Sequence, residues 1–117
     1  MNRELKRLFW VGRSKEDLRA FPEEVRQVMG YALYLAQAGS KHPDAKPLSG
    51  FGGAGVLEVV DDFDRNTYRA VYTLKVAGAV YVLHAFQKKS RKGIRTNPED
   101  IETVRRRLRE VLEAQQH

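Results

Sequence analysis

Between Val56 and Gln87 the chain reads as three strands, VLEVVD, TYRAVYTLKV and the stretch 79–87, parted by two short turn segments. No other feature narrows the fold as far. Strand residues alternate between the two faces of a sheet. Tyr68, Ala70, Tyr72, Leu74 and Val76 therefore share one face, which is apolar and expected in the core. Arg69, Val71, Thr73 and Lys75 take the other, so that a cationic pair is expected on display beside covered neighbours. Residues 62–66 and the Ala77-Gly78 pair are short enough to close hairpins. A meander of this kind needs helices to cover its apolar face.

Those helices are legible on either side. LKRLFWV at 5–11 is expected to form a first strand, with Phe9 and Val11 on one side and Leu8 and Trp10 on the other. SKED then opens a helix, with Ser14 as its N-cap and Asp17 in its acidic first turn. Leu18 and Phe21 give it a small apolar face. Pro22, followed by Glu23 and Glu24, starts a second helix. Val25, Val28, Met29, Ala32, Leu35 and Ala36 recur there at offsets 0, 3, 4, 7, 10 and 11, a helical stripe that Gly39 ends. Tyr31 and Tyr34 are read as packing residues. Residues 40–55 hold two Pro and four Gly and are expected to lack regular structure. Asn97-Pro98-Glu99-Asp100 begins a last helix striped by Ile101, Val104, Leu108, Val111 and Leu112, with Arg105, Arg106 and Arg109 outside. The order β-α-α-β-β-β-α describes one α+β domain over residues 1–117, with a mostly antiparallel four-stranded sheet packed against helices.

Composition narrows the chemistry. The 21 Lys and Arg exceed the 15 Asp and Glu, for a net charge of +6, a balance that favours a polyanionic partner. There is no cysteine, which excludes disulfides and thiolate metal sites. His42, His84 and His117 lack paired spacing, and GFGGAG precedes a strand without a following Lys-Ser/Thr, so neither a zinc motif nor a P-loop is present. No metal or cofactor is expected. The apolar run Leu8–Val11 is too short for a signal segment or a membrane span, and a cytoplasmic protein is expected.

The stretch VYVLHAFQKKSRK at 80–92 stands out, because a buried strand runs directly into a dense cationic run. His84, Phe86 and Lys88 share a strand face. If the hairpin register sets that face beside Arg69, the sheet gathers an arginine, a histidine, an aromatic ring and lysines around one hollow. Such a set suits RNA cleavage without a metal. A base takes the 2′-hydroxyl proton, an acid protonates the leaving oxygen, and cations hold the charged phosphorane. His84 has a reference pKa near neutrality, Arg69 can clamp a phosphate bidentately, Lys46, Lys88 and Lys89 add charge, and Phe86, Phe51 or Tyr72 can stack a base. Plainer roles stand beside these. Arg69 can pair with Glu58 across the hairpin, His84 can be structural, and the run 88–95 can be a solvated loop.

FPEEVRQVMGYALYLAQAG, KPLSGFGGAGVLEV, YRAVYTLK and VYVLHAFQKKSRK…NPEDIETVRRRLRE, in this order, resemble the phage-derived Gp49-like, HigB-type group of the RelE/ParE toxin superfamily. The resemblance runs over nearly the whole chain. It implies a compact RelE/ParE-like domain acting as the toxin of a type II toxin–antitoxin pair, a metal-independent, ribosome-dependent endoribonuclease that cleaves mRNA. The implied partners are mRNA on the ribosome and a helix-turn-helix antitoxin. It sets Arg69 at a phosphate-contacting position and matches His84, Phe86, Lys88 and Lys89 to the active-site segment, Arg69, His84 and Lys88 being the catalytic candidates. Lys46, Phe86, Lys89, Arg91 and Lys92 are the RNA-binding ones. The last helix departs from the pattern, being full and apolar-striped where many relatives have a short tail. A ParE-like branch shares the fold and targets DNA gyrase, and an inactive RNA-binding remnant is the third alternative.

Overall fold

The computed structural model describes residues 4–88 and 96–116. Its elements are β1 (Leu8–Trp10), α1 (Ser14–Arg19), α2 (Glu23–Gln37), β2 (Ala45–Pro47), β3 (Val56–Phe63), β4 (Asn66–Val76), β5 (Ala79–Lys88) and α3 (Pro98–Ala114). The five strands form one sheet in the order β1-β5-β4-β3-β2. β1 runs parallel to β5, and the other three pairings are antiparallel.

The expected α+β order holds with one more strand than expected. β2 comes from the Pro- and Gly-rich segment that was expected to be irregular. Its three residues pair with Leu57–Val59 at the rim of the sheet. Proline is tolerated at a sheet edge, where a missing N–H breaks no ladder, so two prolines did not forbid a short edge strand. The two expected hairpins form. Asp64 and Arg65 (φ 50° and 68°) and Ala77 and Gly78 (φ 51° and 66°) take the left-handed conformation at their tips. Paired residues of that kind match the twist of the flanking strands.

α1 and α2 cover one face of the sheet. Val25, Met29, Ala32, Leu33 and Ala36 of α2 pack with Leu57, Val59, Tyr68, Ala70, Tyr72, Val80 and Val82. Leu33, rather than Leu35 of the expected stripe, joins the buried set. Ser14 does not cap α1. Arg13 occupies the cap position, and the fully buried Ser14 hydroxyl donates to the Val82 carbonyl at 3.1 Å, tying α1 to β5.

α3 covers the other face, and here the expectation of a displayed cationic strand face fails. Val104, Leu108 and Val111 pack on Val56, Val71, Val76 and Leu83. Val71 and Thr73 are fully buried and Arg69 is 3% exposed; only Lys75 is on display. The physical reason is α3's own apolar stripe, which must be buried and finds the valines of this face. Leu112, counted in that stripe, is exposed. Tyr31 and Tyr34, read as packing residues, are also exposed, with their rings stacked on each other. No helix among the described residues is long and apolar enough to cross a membrane.

Leu108→Ala is expected to destabilise the protein by about 2–5 kcal/mol, the usual cost of truncating a buried leucine. Arg106→Ala, on the wet side of the same helix, should stay within about 0.5 kcal/mol of wild type. Urea unfolding checks both. The Tyr72 hydroxyl is buried with no hydrogen-bond partner among the described residues, and burial pushes its pKa up to about 12. An orphaned buried hydroxyl costs about 1–3 kcal/mol. Tyr72→Phe is therefore expected to raise the urea midpoint, and a lower midpoint would show a hidden partner.

Candidate functional site

The site is built by the β4–β5 hairpin and the start of α3. In the register, Thr67 faces Lys88, Arg69 faces Phe86 and Val71 faces His84. Arg69, His84, Phe86 and Lys88 thus lie on one face of neighbouring strands, the register that the sequence left open. On the far side of β4, Lys46 of β2 lies opposite Glu58 of β3 and Glu58 opposite Val71. Lys46 is exposed and Lys88 is buried. Lys89, Arg91 and Lys92, the remaining RNA-binding candidates, lie outside the described residues.

A bulge aims the histidine. The register shifts by one residue between Val71 and Tyr72, so that Tyr72 faces Val82 and Leu83 is the extra residue of β5. Val82 packs on the α2 side, Leu83 packs on the α3 side, and His84 contacts α3 as well. A bulge bends its strand and redirects a side chain. Strict alternation hides this step. A second shift, between Thr73 and Val76, moves Val76 to the α3 side, away from Tyr68, Ala70, Tyr72 and Leu74.

The His84 ring is clamped on three sides. Its Nε2 lies 2.8 Å from Asp100 Oδ1 in the first turn of α3. Its Nδ1 lies 3.4 Å from Arg107 Nη1, and its plane stacks on Phe86 with centroids 4.6 Å apart. Because a guanidinium only donates, Nδ1 must accept; the neutral ring then carries its proton on Nε2 and donates it to Asp100. Arg107 Nη1 also donates to the Leu83 carbonyl at 2.9 Å, at the bulge itself. Room for this guanidinium comes from Gly12, just after β1. It has φ +57°, and a Cβ there would come within 2.8 Å of the Arg107 headgroup. Burial lowers the His84 pKa from the usual 6.5, and Arg107 lowers it further, while the Asp100 bond and Asp17 pull the other way.

Arg69 takes the plainer of its two roles in this arrangement. Its Nη1 donates to Glu58 Oε1 at 3.0 Å. Thr96 donates to Glu58 Oε2 at 2.7 Å and accepts from Arg69 at 3.3 Å. The Arg69 and Glu58 side chains are 4% and 11% exposed. The pair and Thr96 form a polar patch at the approach to α3, on the same side of the sheet as the His84–Asp100–Arg107 cluster. Asp100, Arg107 and Thr96 were missed in the sequence. Arg107 sits within RRRLRE, where only the helical phase separates it from three wet arginines. The 107 position lies one turn before Val111, on the packed side, and that phase was the available signal. Among the described residues, no group of three or more histidine or carboxylate side chains is placed to hold a metal ion.

Two measurements check these contacts. Removing one partner of a buried ion pair strands the other charge, at a cost of about 3–5 kcal/mol. Arg69→Ala is therefore expected to lower stability by that order, and Arg69→Met with Glu58→Leu to recover most of the loss. An unfolding midpoint that Arg69→Ala leaves unmoved would contradict the pair. A histidine with a depressed native pKa binds its proton more readily when unfolded. Its share of stability is then complete above about pH 6.5 and is lost as pH falls through the native pKa. The melting temperature should fall between about pH 7.5 and 5.5, and His84→Asn should flatten that part of the profile.

Residues 16–109 match the family described as Phage derived protein Gp49-like (DUF891). No curated protein matches the chain. The matched span begins in α1 and ends within α3, and it holds every member of both polar clusters. By this match over most of its length, the chain belongs to the phage-derived Gp49-like family.

Proposed function

We propose that this protein is the toxin of a type II toxin–antitoxin pair and cleaves mRNA on the ribosome as a metal-independent endoribonuclease. One observation carries the reading: a histidine oriented by a carboxylate at 2.8 Å, with a guanidinium against its other nitrogen, in a setting whose burial favours the neutral ring. Neutral imidazole with its proton fixed on Nε2 offers Nδ1 as a base toward a 2′-hydroxyl, whose oxygen attacks the phosphorus while the P–O5′ bond breaks and water protonates the leaving oxygen. Arg107 is the cation closest to that nitrogen among the described contacts. When a phosphate arrives, Arg107 exchanges Nδ1 for the phosphate oxygens, which frees the base and neutralises charge that develops on the phosphorane. Phe86, stacked on the histidine, supports a base beside the reacting nucleotide. Lys88, two residues further along β5, and Lys46, on the β2 edge, extend the positive field along which the strand lies. Arg69 acts through Glu58 and Thr96, which hold the start of α3 and so the position of Asp100. The partner that silences the toxin is a helix-turn-helix antitoxin, in keeping with the resemblance of the motifs to HigB-type toxins.

The test is induced expression with mapping of mRNA 5′ ends at single-nucleotide resolution. Wild type should create new ends within translated messages. His84→Ala should reduce them by about 10²–10⁴-fold, the span of general acid–base contributions, and Arg107→Lys should restore less than half of wild-type cleavage because an ammonium lacks the forked contact. Melting curves on each variant separate lost chemistry from lost fold. Intact messages together with gyrase-dependent DNA breaks would replace this reading with the ParE-like one. Intact messages and intact DNA would leave only binding.

A further inference from the structure

The outer face of α2 is unusual for a wet helix face. Its middle holds one charge and no acid: Arg26, Gln27, Gly30, Tyr31 and Tyr34 lie there, all exposed. Tyr31 and Tyr34 are 55% and 50% exposed, with ring centroids 6.5 Å apart. Tyrosines and an arginine at the centre, with the remaining charge at the two ends, are the composition of a protein interface.

Gly30 is the second observation. It sits in the middle of a 15-residue helix, where glycine is the poorest residue after proline. A Cβ at this position would meet nothing within 4 Å, so no contact within the described residues calls for a glycine. What a bare Cα does provide is a notch through which another helix can approach closely, flanked by the two tyrosines.

Charge indicates what that helix is. The N-terminal end of the face is acidic, with exposed Glu23 and Glu24. The opposite end is basic. Exposed Lys41 follows α2, and exposed Lys6 is tied to the helix end, its N–H donating to the Gln37 carbonyl at 2.9 Å while Gln37 Nε2 donates to the Lys6 carbonyl at 2.7 Å. Arg26 stands one turn before Gly30 and Tyr34 one turn after it. A two-fold axis at Gly30 turns each of these offsets into a pairing. Glu23 and Glu24 of each copy meet Lys6 and Lys41 of the other, and each Arg26 meets the other copy's Tyr34 face, a favourable cation–π geometry. A parallel arrangement would instead set Glu against Glu and Lys against Lys. We propose that the outer face of α2 is a self-association surface, on which a second copy of this chain packs its own α2 antiparallel across Gly30. One helix crossing is small for an interface, so the dimer is weak, with Kd on the order of 10 µM.

Sedimentation velocity on the full chain from about 2 to 500 µM, a span that brackets this Kd, reads the association. Wild type should pass from monomer to dimer. Gly30→Gln, which fills the notch, and Tyr34→Ser, which removes the anchor, should each weaken the dimer at least about tenfold. At dilute concentration Gly30→Ala should melt about 3–5 °C higher than wild type, because helix propensity then acts alone. The absence of cysteine from the chain permits a direct check of the axis. Gly30→Cys should link copies rapidly under mild oxidation, since disulfides need Cα atoms roughly 4.4–6.8 Å apart; Glu110→Cys on the wet side of α3 should not. A wild type that stays monomeric throughout overturns the proposal. So does a dimer that Gly30→Gln and Tyr34→Ser leave intact, or a Gly30→Cys variant that links no faster than Glu110→Cys.

Discussion

Glu58 and Arg69 meet at 3.0 Å under the approach to α3, and the arrangement of that whole side of the sheet depends on their meeting. Neither group can be buried alone. An ionised side chain away from water is costly unless it is paired and its remaining hydrogen-bonding capacity is met. Thr96 contributes to both partners, and it stands two residues before Pro98 opens α3. The start of the helix is thereby held over β3 and β4, and Asp100, one turn in, reaches His84. Downstream, Arg107 returns to β5 at the Leu83 carbonyl. Apolar packing through Val104, Leu108 and Val111 supplies the adhesion, and the two polar attachments set the register of helix on sheet.

That division explains which parts of the molecule were legible in the sequence. β1, the three meander strands, their hairpins and α2 follow from periodicity and turn chemistry, both local properties, whereas β2 lies in a segment whose prolines and glycines hid it. The cross-strand neighbours of Arg69 were open in the sequence, because two register shifts separate that position from the Ala77-Gly78 turn and the turn length alone does not set the pairing. What alternation cannot show is a change of phase. The bulge at Leu83 places two consecutive β5 residues toward α3, and no residue type in VYVLHAF announces it. Likewise the choice of face for α3 is a tertiary decision. A face carrying Arg69 and Lys75 looked open, yet Val71 and its neighbours offered the better surface for an apolar helix, and the charge was neutralised by Glu58 instead of by water. Ser14 illustrates the same limit on a smaller scale. Its residue type suits a cap, but the helix begins one residue earlier, with Arg13 at the cap, and the Ser14 hydroxyl donates to a β5 carbonyl.

The same geometry revises where positive charge does its work. Composition and the resemblance directed attention to Arg69 and the lysines after His84. In the fold, the guanidinium against the imidazole is Arg107, which reaches it from a helix distant in sequence and through space left by Gly12. Burial and the adjacent cation both press His84 toward its neutral form, and Asp100 fixes which nitrogen holds the proton. A polar cluster of this kind, at the junction of three elements, is sensitive to each of them. The chemistry attributed to His84 is therefore inseparable from the seating of α3.

The sheet's margins carry a different consequence. Its central strands β3, β4 and β5 are 8, 11 and 10 residues long, while the two at the rims, β1 and β2, have three each. Each outer strand acts as a shield over a much longer ladder, one side guarded by a proline-bearing segment and the other by a parallel strand donated from the far end of the sequence. Such stubs leave little template for a stray chain to add on. The shield on β5 is also the part of the sheet most separated along the chain from its mate, Leu8 pairing with Val80. During synthesis it waits, unpaired, until β5 has emerged. Trimming the segment that bears it would bare the hydrogen-bonding rim of β5 from Val80 to Val82 and lengthen the open edge on which a stray strand can add.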